Sequence, residues 1–339
     1  MNSVLPDLLV HPADGHTIAD PAEWSDKAAD IRARMESIIG VMPEHTLPPD
    51  VKLVEQIVTP DYIRSRITYT VAPAERIYAY LLVPHTRTMS EPGPGLVCLH
   101  QTVACGRREP VGLEGSEDYA YAHHLASRGF VCVVPDHITA GDRVSEGLEP
   151  YDTAAFYERH PEWSAVGKSI HDTMRAVDVL LGLPGVDPAR IGVIGHSLGG
   201  HSSIFAAAYD ERIAACVSNC GLTTFAENPN RMDWCRDHWY VYLPALRPIF
   251  LANEEAPFDF HEVVSLVAPR ALLNISSLTD AMVGSPHAMF ELARNVREVY
   301  ELLGHQSNAA FHFHDTGHGF TEDTRDLAYG WLERVLALS

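Results

Sequence analysis

Residues 190–203 read RIGVIGHSLGGHSS, with Gly195, Ser197 and Gly199 at alternate positions where an apolar run stops and a helical pattern begins. The stretch fits G-x-S-x-G. It is either an ordinary glycine-rich turn or a turn that holds a serine nucleophile exposed and strained. The glycines suit the second reading. Such a turn forces the serine into unfavourable backbone angles, and side chains two residues either way would collide with the neighbouring strand and helix. A serine hydroxyl is a poor nucleophile until a histidine takes its proton, and the imidazole needs a carboxylate to fix its tautomer.

On a nucleophile turn of this kind the partners follow in the order Ser, Asp or Glu, His, each after a later strand. RALLNISSLTD ends on Asp280, and AAFHFHDTGHGF carries His318 between Gly317 and Gly319. Asp280 could instead cap a helix or turn, with Asp315 as the reserve acid; only two residues separate Asp315 from His318 in the same loop. His312 and His314 form an H-x-H pair that could suggest a metal site with His318. Their alternation with Phe311 and Phe313 reads as one face of a strand, and no H-E-x-x-H or comparable carboxylate set accompanies them. Neither a metal nor another cofactor is therefore expected. His123, His124 and His201 are expected on helix surfaces, and His196 is expected to pack beside the elbow. Acyl transfer also needs two backbone donors for the oxyanion. The N–H of Leu198 is one candidate; the other comes from the loop after GLVCLH, at Gln101 or Thr102.

These residues must be positioned by the elements around them. Asp20-Pro21 supplies a helix cap and a first-turn proline, and Trp24, Ala28, Ile31, Met35 and Ile38 follow on one apolar stripe. The segments 51–58, 63–71 and 76–84 alternate, which predicts antiparallel strands with one wet face. From residue 95 the pattern changes to short runs that are apolar on both faces, at 95–100, 130–136, 190–197, 213–220, 270–277 and 309–315. Helical stretches at 117–128, about 165–183, 198–209, 286–303 and 321–337 separate them. Buried strands alternating with helices mean an α/β fold: a mostly parallel central sheet covered on both faces, with functional loops at the carboxyl ends of its strands. Residues 222–262 break the alternation, with several prolines and aromatics and no clean period. They read as a small inserted cap on a single domain spanning 1–339, with residues 1–50 as an amino-terminal helical extension.

The composition limits the partners. Hydrophobic residues at 46% and charged residues at 21% are ordinary globular values, and the formal charge of −20 with no Lys/Arg cluster argues against nucleic-acid binding. No stretch approaches the roughly 18 apolar residues of a membrane span, and no secretory signal pattern opens the chain. The six cysteines form no C-x-x-C pair, which fits free thiols in a reducing compartment and predicts a cytoplasmic protein. Oligomeric state is not readable, although extra amino-terminal elements often mediate contacts between copies.

The order strand–HQT–GRREP, VVPDHITAGDR, HDTMRAVDVLL, the GHSLGG elbow, Asp280 and DTGHGF resembles the α/β-hydrolase superfamily over about residues 20–337. Within it the resemblance is to dienelactone hydrolase-like and acetyl xylan esterase-like proteins. The resemblance implies an α/β-hydrolase fold and a serine hydrolase acting on a small ester, sugar acetate or lactone. Dienelactone hydrolases proper use a cysteine nucleophile, and the serine at 197 moves the reading towards ordinary esters. The usual His-Gly of the oxyanion loop is His100-Gln101 here, so the resemblance favours Thr102 as donor. Glu109, Asp136, Asp142, Arg143, Asp172 and Arg175 lie in segments that resemble family signatures. Asp172 and Arg175, three apart on a helix, are expected to pair. Glu109 and Arg143 either line the site or brace its loops. Trp234, Trp239, Tyr240, Tyr242 and Phe250 either wall the substrate pocket or form the cap's own core. A peptidase of the prolyl-oligopeptidase kind and a non-catalytic binding protein are the competing functions. The first lacks its β-propeller and the second would be expected to lack a triad member.

Overall fold

The computed structural model describes residues 4–11, 13–42, 47–88 and 90–336, so part of the 1–50 extension and the last residue of the expected 321–337 helix lie outside the described residues. One nine-stranded sheet organises the chain, with the strand order β1-β2-β3-β5-β4-β6-β7-β8-β9. The strands are β1 (Lys52–Val58), β2 (Tyr62–Ala72), β3 (Glu75–Pro84), β4 (Gly93–Leu99), β5 (Val131–Pro135), β6 (Val186–His196), β7 (Ala215–Asn219), β8 (Ala271–Ser277) and β9 (Ala309–His314). β1 to β3 pair antiparallel and β3 joins β5 antiparallel, while β5, β4 and β6 to β9 run parallel. All nine fall where the apolar runs predicted them.

The parallel strands are apolar on both faces because both faces are covered. Val97, Leu99, Val131, Val133, Ile191, Val193 and Leu272 point to one core, and Leu96, Cys98, Cys132, Val134, Ile194, Val217 and Leu273 point to the other. The first core is closed by α1 (Pro21–Ile39), α4 (Ala165–Leu181), α5 (Leu198–Tyr209), α7 (Phe260–Ser265) and α8 (Pro286–Leu302). The second is closed by α2 (Tyr121–Ser127) and α9 (Glu322–Val335). Among the described residues, two short helices, α3 (Ala154–Arg159) and α6 (Leu246–Leu251), complete the set. α1 starts as the sequence implied: the Asp20 side chain accepts from Ala22 N–H, with Pro21 in the first turn. β1 departs from the expected wet-and-dry alternation, since all seven of its residues are exposed. It is the sheet's edge, paired only with β2.

At β4 the strand order reverses, with β5 on one side and β6 on the other. In open parallel sheets such a switch point leaves a crevice beyond the strand ends. The loop after β4 and the turn after β6 both open there. The 222–262 segment contributes a 3₁₀ turn at Arg231–Cys235 and α6, and it packs over the same strand ends. No described helix is long and apolar enough to cross a membrane.

Candidate active site

Ser197 sits between β6 and α5 with φ 54° and ψ −115°, a left-handed conformation that costs a non-glycine residue of order 1–3 kcal/mol. Two glycines make the turn sterically feasible. A Cβ on Gly195 would lie 2.2 Å from the Gly199 carbonyl carbon, and one on Gly199 would lie 1.8 Å from the Leu99 carbonyl oxygen. The turn is thus wedged between its own helix and β4, and Ser197 N–H is tied to the Asn219 carbonyl at the end of β7.

The later strands deliver two partners to this serine. Asp280 follows β8 and His318 follows β9. His318 Nε2 lies 2.8 Å from Ser197 Oγ, and its Nδ1 lies 2.5 Å from Asp280 Oδ2. Asp280 Oδ1 accepts from Met282 N–H at 2.9 Å. Burial alone would raise the Asp280 pKa, but the His318 and Met282 hydrogen bonds outweigh it and hold the carboxyl below its ordinary value. Asp315, the reserve acid, has its carbonyl bonded to Thr279 Oγ1 and plays no part in this chain of contacts.

His196 packs beside the elbow, as expected. Its ring centroid is 4.9 Å from that of His318 and 4.8 Å from Tyr119, and Asn219 Nδ2 donates to its Nδ1 at 2.7 Å. Burial pushes its pKa down to about 3, so it places no competing charge beside His318. Cys220 is also adjacent, with Sγ, the Asp280 carboxylate and a His318 nitrogen all within 4.8 Å of one another. Burial pushes its thiol up to about 12. Among the described residues the other such cluster is His11, Asp14 and His16 on the surface; His312 and His314 belong to neither.

A cleft of about 180 Å³, open to solvent, lies over Ser197 and is lined by Thr102, Leu198, Cys220, Thr223, Trp234, Trp239, Tyr242, Met282 and His318 among others. Thr102 and Leu198 thus both reach the serine's surroundings. Gln101 does not line the cleft. Its side chain donates to Glu109 at 2.8 Å, and its carbonyl accepts from His100 Nδ1 at 2.7 Å and the Tyr151 hydroxyl at 3.1 Å.

The packing decides three readings that the sequence left open and revises a fourth. Glu109 is buried away from the cleft and braces the loop through Gln101 and the Ser116 N–H. Arg143 is locked beneath it, 2.7 Å from Asp172 and 3.1 Å from Glu75. Asp172 pairs with Arg143 and Lys168 rather than Arg175, which turns to Asp178. Tyr240 is only 1% exposed, inside the cap's packing with Tyr151 and Leu198, whereas Trp239 beside it is 43% exposed in the cleft. Trp234 does both: it lines the cleft while its ring packs on Phe225, Tyr242 and Phe260. Phe250 is buried, packs on Phe225 and does not line this cleft.

Sequence reasoning also missed residues. His201 was expected on a helix surface but is buried, lines the cleft and packs at a tilt against Trp234. It stands one turn after Ser197, so helical periodicity was the signal that could have found it. Arg236 and Asp233, 3.2 Å apart, give the cleft its polar wall; nothing periodic in 222–262 announces them.

Comparison with known proteins agrees with this geometry. The chain is 27% identical over 212 residues to "Putative hydrolase YtaP" of Bacillus subtilis (strain 168), covering 61% of this chain and 67% of that protein. It is 28% identical over 174 residues to carbohydrate esterase MZ0003 from an unknown prokaryotic organism, covering 47% of this chain and 39% of that one. This chain therefore spans about two thirds of the first relative's length and well under half of the second's. The structure of a glucuronoyl esterase from Solibacter usitatus superposes with a TM-score of 0.75 at 19% identity, covering 98% of this chain and 97% of that one. The sequence profile of the Abhydrolase family matches residues 7–327. The strained serine, the strand order and this match across nearly the whole length agree: the chain belongs to the Abhydrolase family and has an α/β-hydrolase fold.

Proposed function

We propose that the protein is a serine carboxylic ester hydrolase that works through an acyl-enzyme. The observation that carries this reading is the unbroken run of contacts from Ser197 Oγ through the two nitrogens of His318 to the Asp280 carboxylate. Ser197 Oγ attacks the ester carbonyl as its proton passes to His318 Nε2. The imidazolium is stabilised by Asp280, whose carboxyl is held ionised and bonded to Nδ1. The tetrahedral oxyanion accepts the N–H of Leu198, at the first turn of α5, and the N–H of Thr102. His318 then gives its proton to the departing alkoxide. Water, deprotonated by the same nitrogen, releases the acid and restores Ser197.

The carbohydrate and glucuronoyl esterases named above, together with the exposed Trp239 face and the Arg236–Asp233 pair, support a sugar-borne ester as the substrate class. We read residues 1–339 as one domain with 222–262 as its cap. The six free cysteines and the absence of a basic cluster support a cytoplasmic protein acting on a small molecule rather than on nucleic acid.

The test is hydrolysis of p-nitrophenyl acetate and a panel of sugar acetates, uronate methyl esters and lactones by the wild type and Ser197→Ala. The variant should lose turnover and fluorophosphonate labelling; full activity in Ser197→Ala rejects the reading.

A further inference from the structure

The loop between β4 and the 3₁₀ turn at Gly106–Arg108 must aim the Thr102 N–H at the reacting carbonyl, yet almost no regular structure holds it. Past His100, the backbone bonds within it amount to Gly106 N–H on the Val103 carbonyl. His100 Nδ1 and Glu109 hold Gln101 on one flank, and a single hydroxyl reaches both flanks of Thr102. The Tyr151 hydroxyl accepts the Val103 N–H at 2.7 Å and lies 2.8 Å from the Val103 carbonyl and 3.1 Å from the Gln101 carbonyl, sharing its single proton between them. These contacts bracket Thr102, whose own N–H has no protein acceptor among the described residues.

Tyr151 is itself held tightly. Its backbone is left-handed at φ 68°, its N–H donates to the Thr139 carbonyl at 2.8 Å, and its ring is 3% exposed. Tyr240 packs on it at 5.0 Å and Trp239 edge-on at 6.1 Å. Burial raises its hydroxyl above the ordinary phenol range, so it remains a neutral donor and acceptor.

We propose that Tyr151 is the positioning residue of the oxyanion site: its hydroxyl clamps residues 101 and 103 so that the Thr102 N–H faces the developing negative charge. The clamp rests on the donor role given to Thr102 above. A hydroxyl that grips the chain on both sides of one residue fixes that peptide plane, which a single hydrogen bond to one neighbour would not do. Misaiming a donor by a fraction of an ångström weakens the transition-state contact while leaving the ground-state complex almost untouched.

The test is Tyr151→Phe, which keeps the ring against Tyr240 and removes only the clamp. Its kcat should fall between about 10- and 100-fold, short of or at the loss of a whole donor, with KM changed less than about threefold. The Ki of an aliphatic trifluoromethyl ketone, whose hemiketal oxyanion occupies the same site, should rise by the same factor as kcat/KM falls. Tyr157→Phe is the structural control. Its hydroxyl likewise donates to a backbone carbonyl, Val241 at 2.8 Å, and accepts the Ala165 N–H at 3.0 Å, outside this loop. It should lower the melting temperature with kcat unchanged.

An unchanged kcat or an unchanged ketone Ki in Tyr151→Phe overturns the proposal, as does an equal loss of kcat in Tyr157→Phe. If Tyr151→Phe does not fold, 3,5-difluorotyrosine at 151 keeps the shape and weakens the oxygen as acceptor of the Val103 N–H. It should lower kcat in the same sense, and no change overturns the clamp. Activity surviving in Ser197→Ala is a different failure, because it removes the ester-hydrolase reading itself.

Discussion

The two walls of the cleft are built by opposite means. On the sheet side, Ser197, Asp280 and His318 follow the ends of three parallel strands, and backbone contacts too close for any side chain fix the elbow. Beneath that side, buried charges lock the loops: Asp136 takes the Arg107 N–H at 2.8 Å and the Asp142 N–H at 3.0 Å as well as the Arg107 guanidinium. On the cap side, Trp234, Tyr240, Tyr242 and Phe225 hold one another through ring contacts of 4.4–5.9 Å, with little regular backbone pairing. Hydrogen-bonded backbone fixes positions to fractions of an ångström, which chemistry on one carbonyl requires. Aromatic packing fixes a volume, which is enough to choose a substrate and easy to remodel.

The largest test of this contrast is Asp280→Asn. It leaves the rim's shape intact but lets His318 adopt the wrong tautomer, and kcat should fall about 10⁴-fold with the fold retained. Turnover within tenfold of wild type would break the assignment of chemistry to the rim.

A second test uses the histidines buried behind both walls. His196 on the rim and His201 facing the cap are held neutral, each with its pKa pushed down to about 3 by burial. The unfolded chain takes up their protons below about 6.5, so between about pH 6.5 and 3 it binds more protons than the folded protein. Stability should therefore drop as pH falls through that window, by up to about 1.4 kcal/mol per unit for each histidine. Urea midpoints at pH 7.5, 6.0 and 5.0 measure this, and a flat series contradicts the burial argument. His201→Asn should shallow the slope by about one proton and leave the His196 contribution in place.

The smallest effect is expected on the cap. Trp239 is half exposed and bonded through Nε1 to the Pro150 carbonyl at 3.1 Å. Trp239→Ala should raise KM for a sugar ester by roughly 10-fold, the loss of about 1.4 kcal/mol of contact, with kcat and melting temperature little changed. If kcat fell and KM did not, the two walls would not divide the work as argued.

Most of the sheet side was readable from the chain because its signals are local. Apolar runs of strand length, a cap at Asp20, G-x-S-x-G and acids or histidines just past later strands each depend on a few neighbouring residues. The cap side was not readable for the same reason. Trp239 and Tyr240 are adjacent and chemically alike, yet one faces the cleft and the other is sealed against Tyr151. No period in 222–262 tells them apart. Arg143 and Asp172 misled differently. Arg143 could have been a site residue or a loop brace, and Asp172 was expected to pair with Arg175, but the partners of Arg143 come from 29 and 68 residues away, and only packing brings those together.

By itself, then, the sequence determined the layering, the strand succession and the identity of the three residues at the rim, because steric limits on a turn and the period of a strand act over a few residues. The tertiary structure alone decided which charges are buried in pairs, which aromatic rings face the cleft, and that Tyr151 grips the loop beside Thr102. Those outcomes depend on contacts between distant segments, whose energies no local pattern encodes.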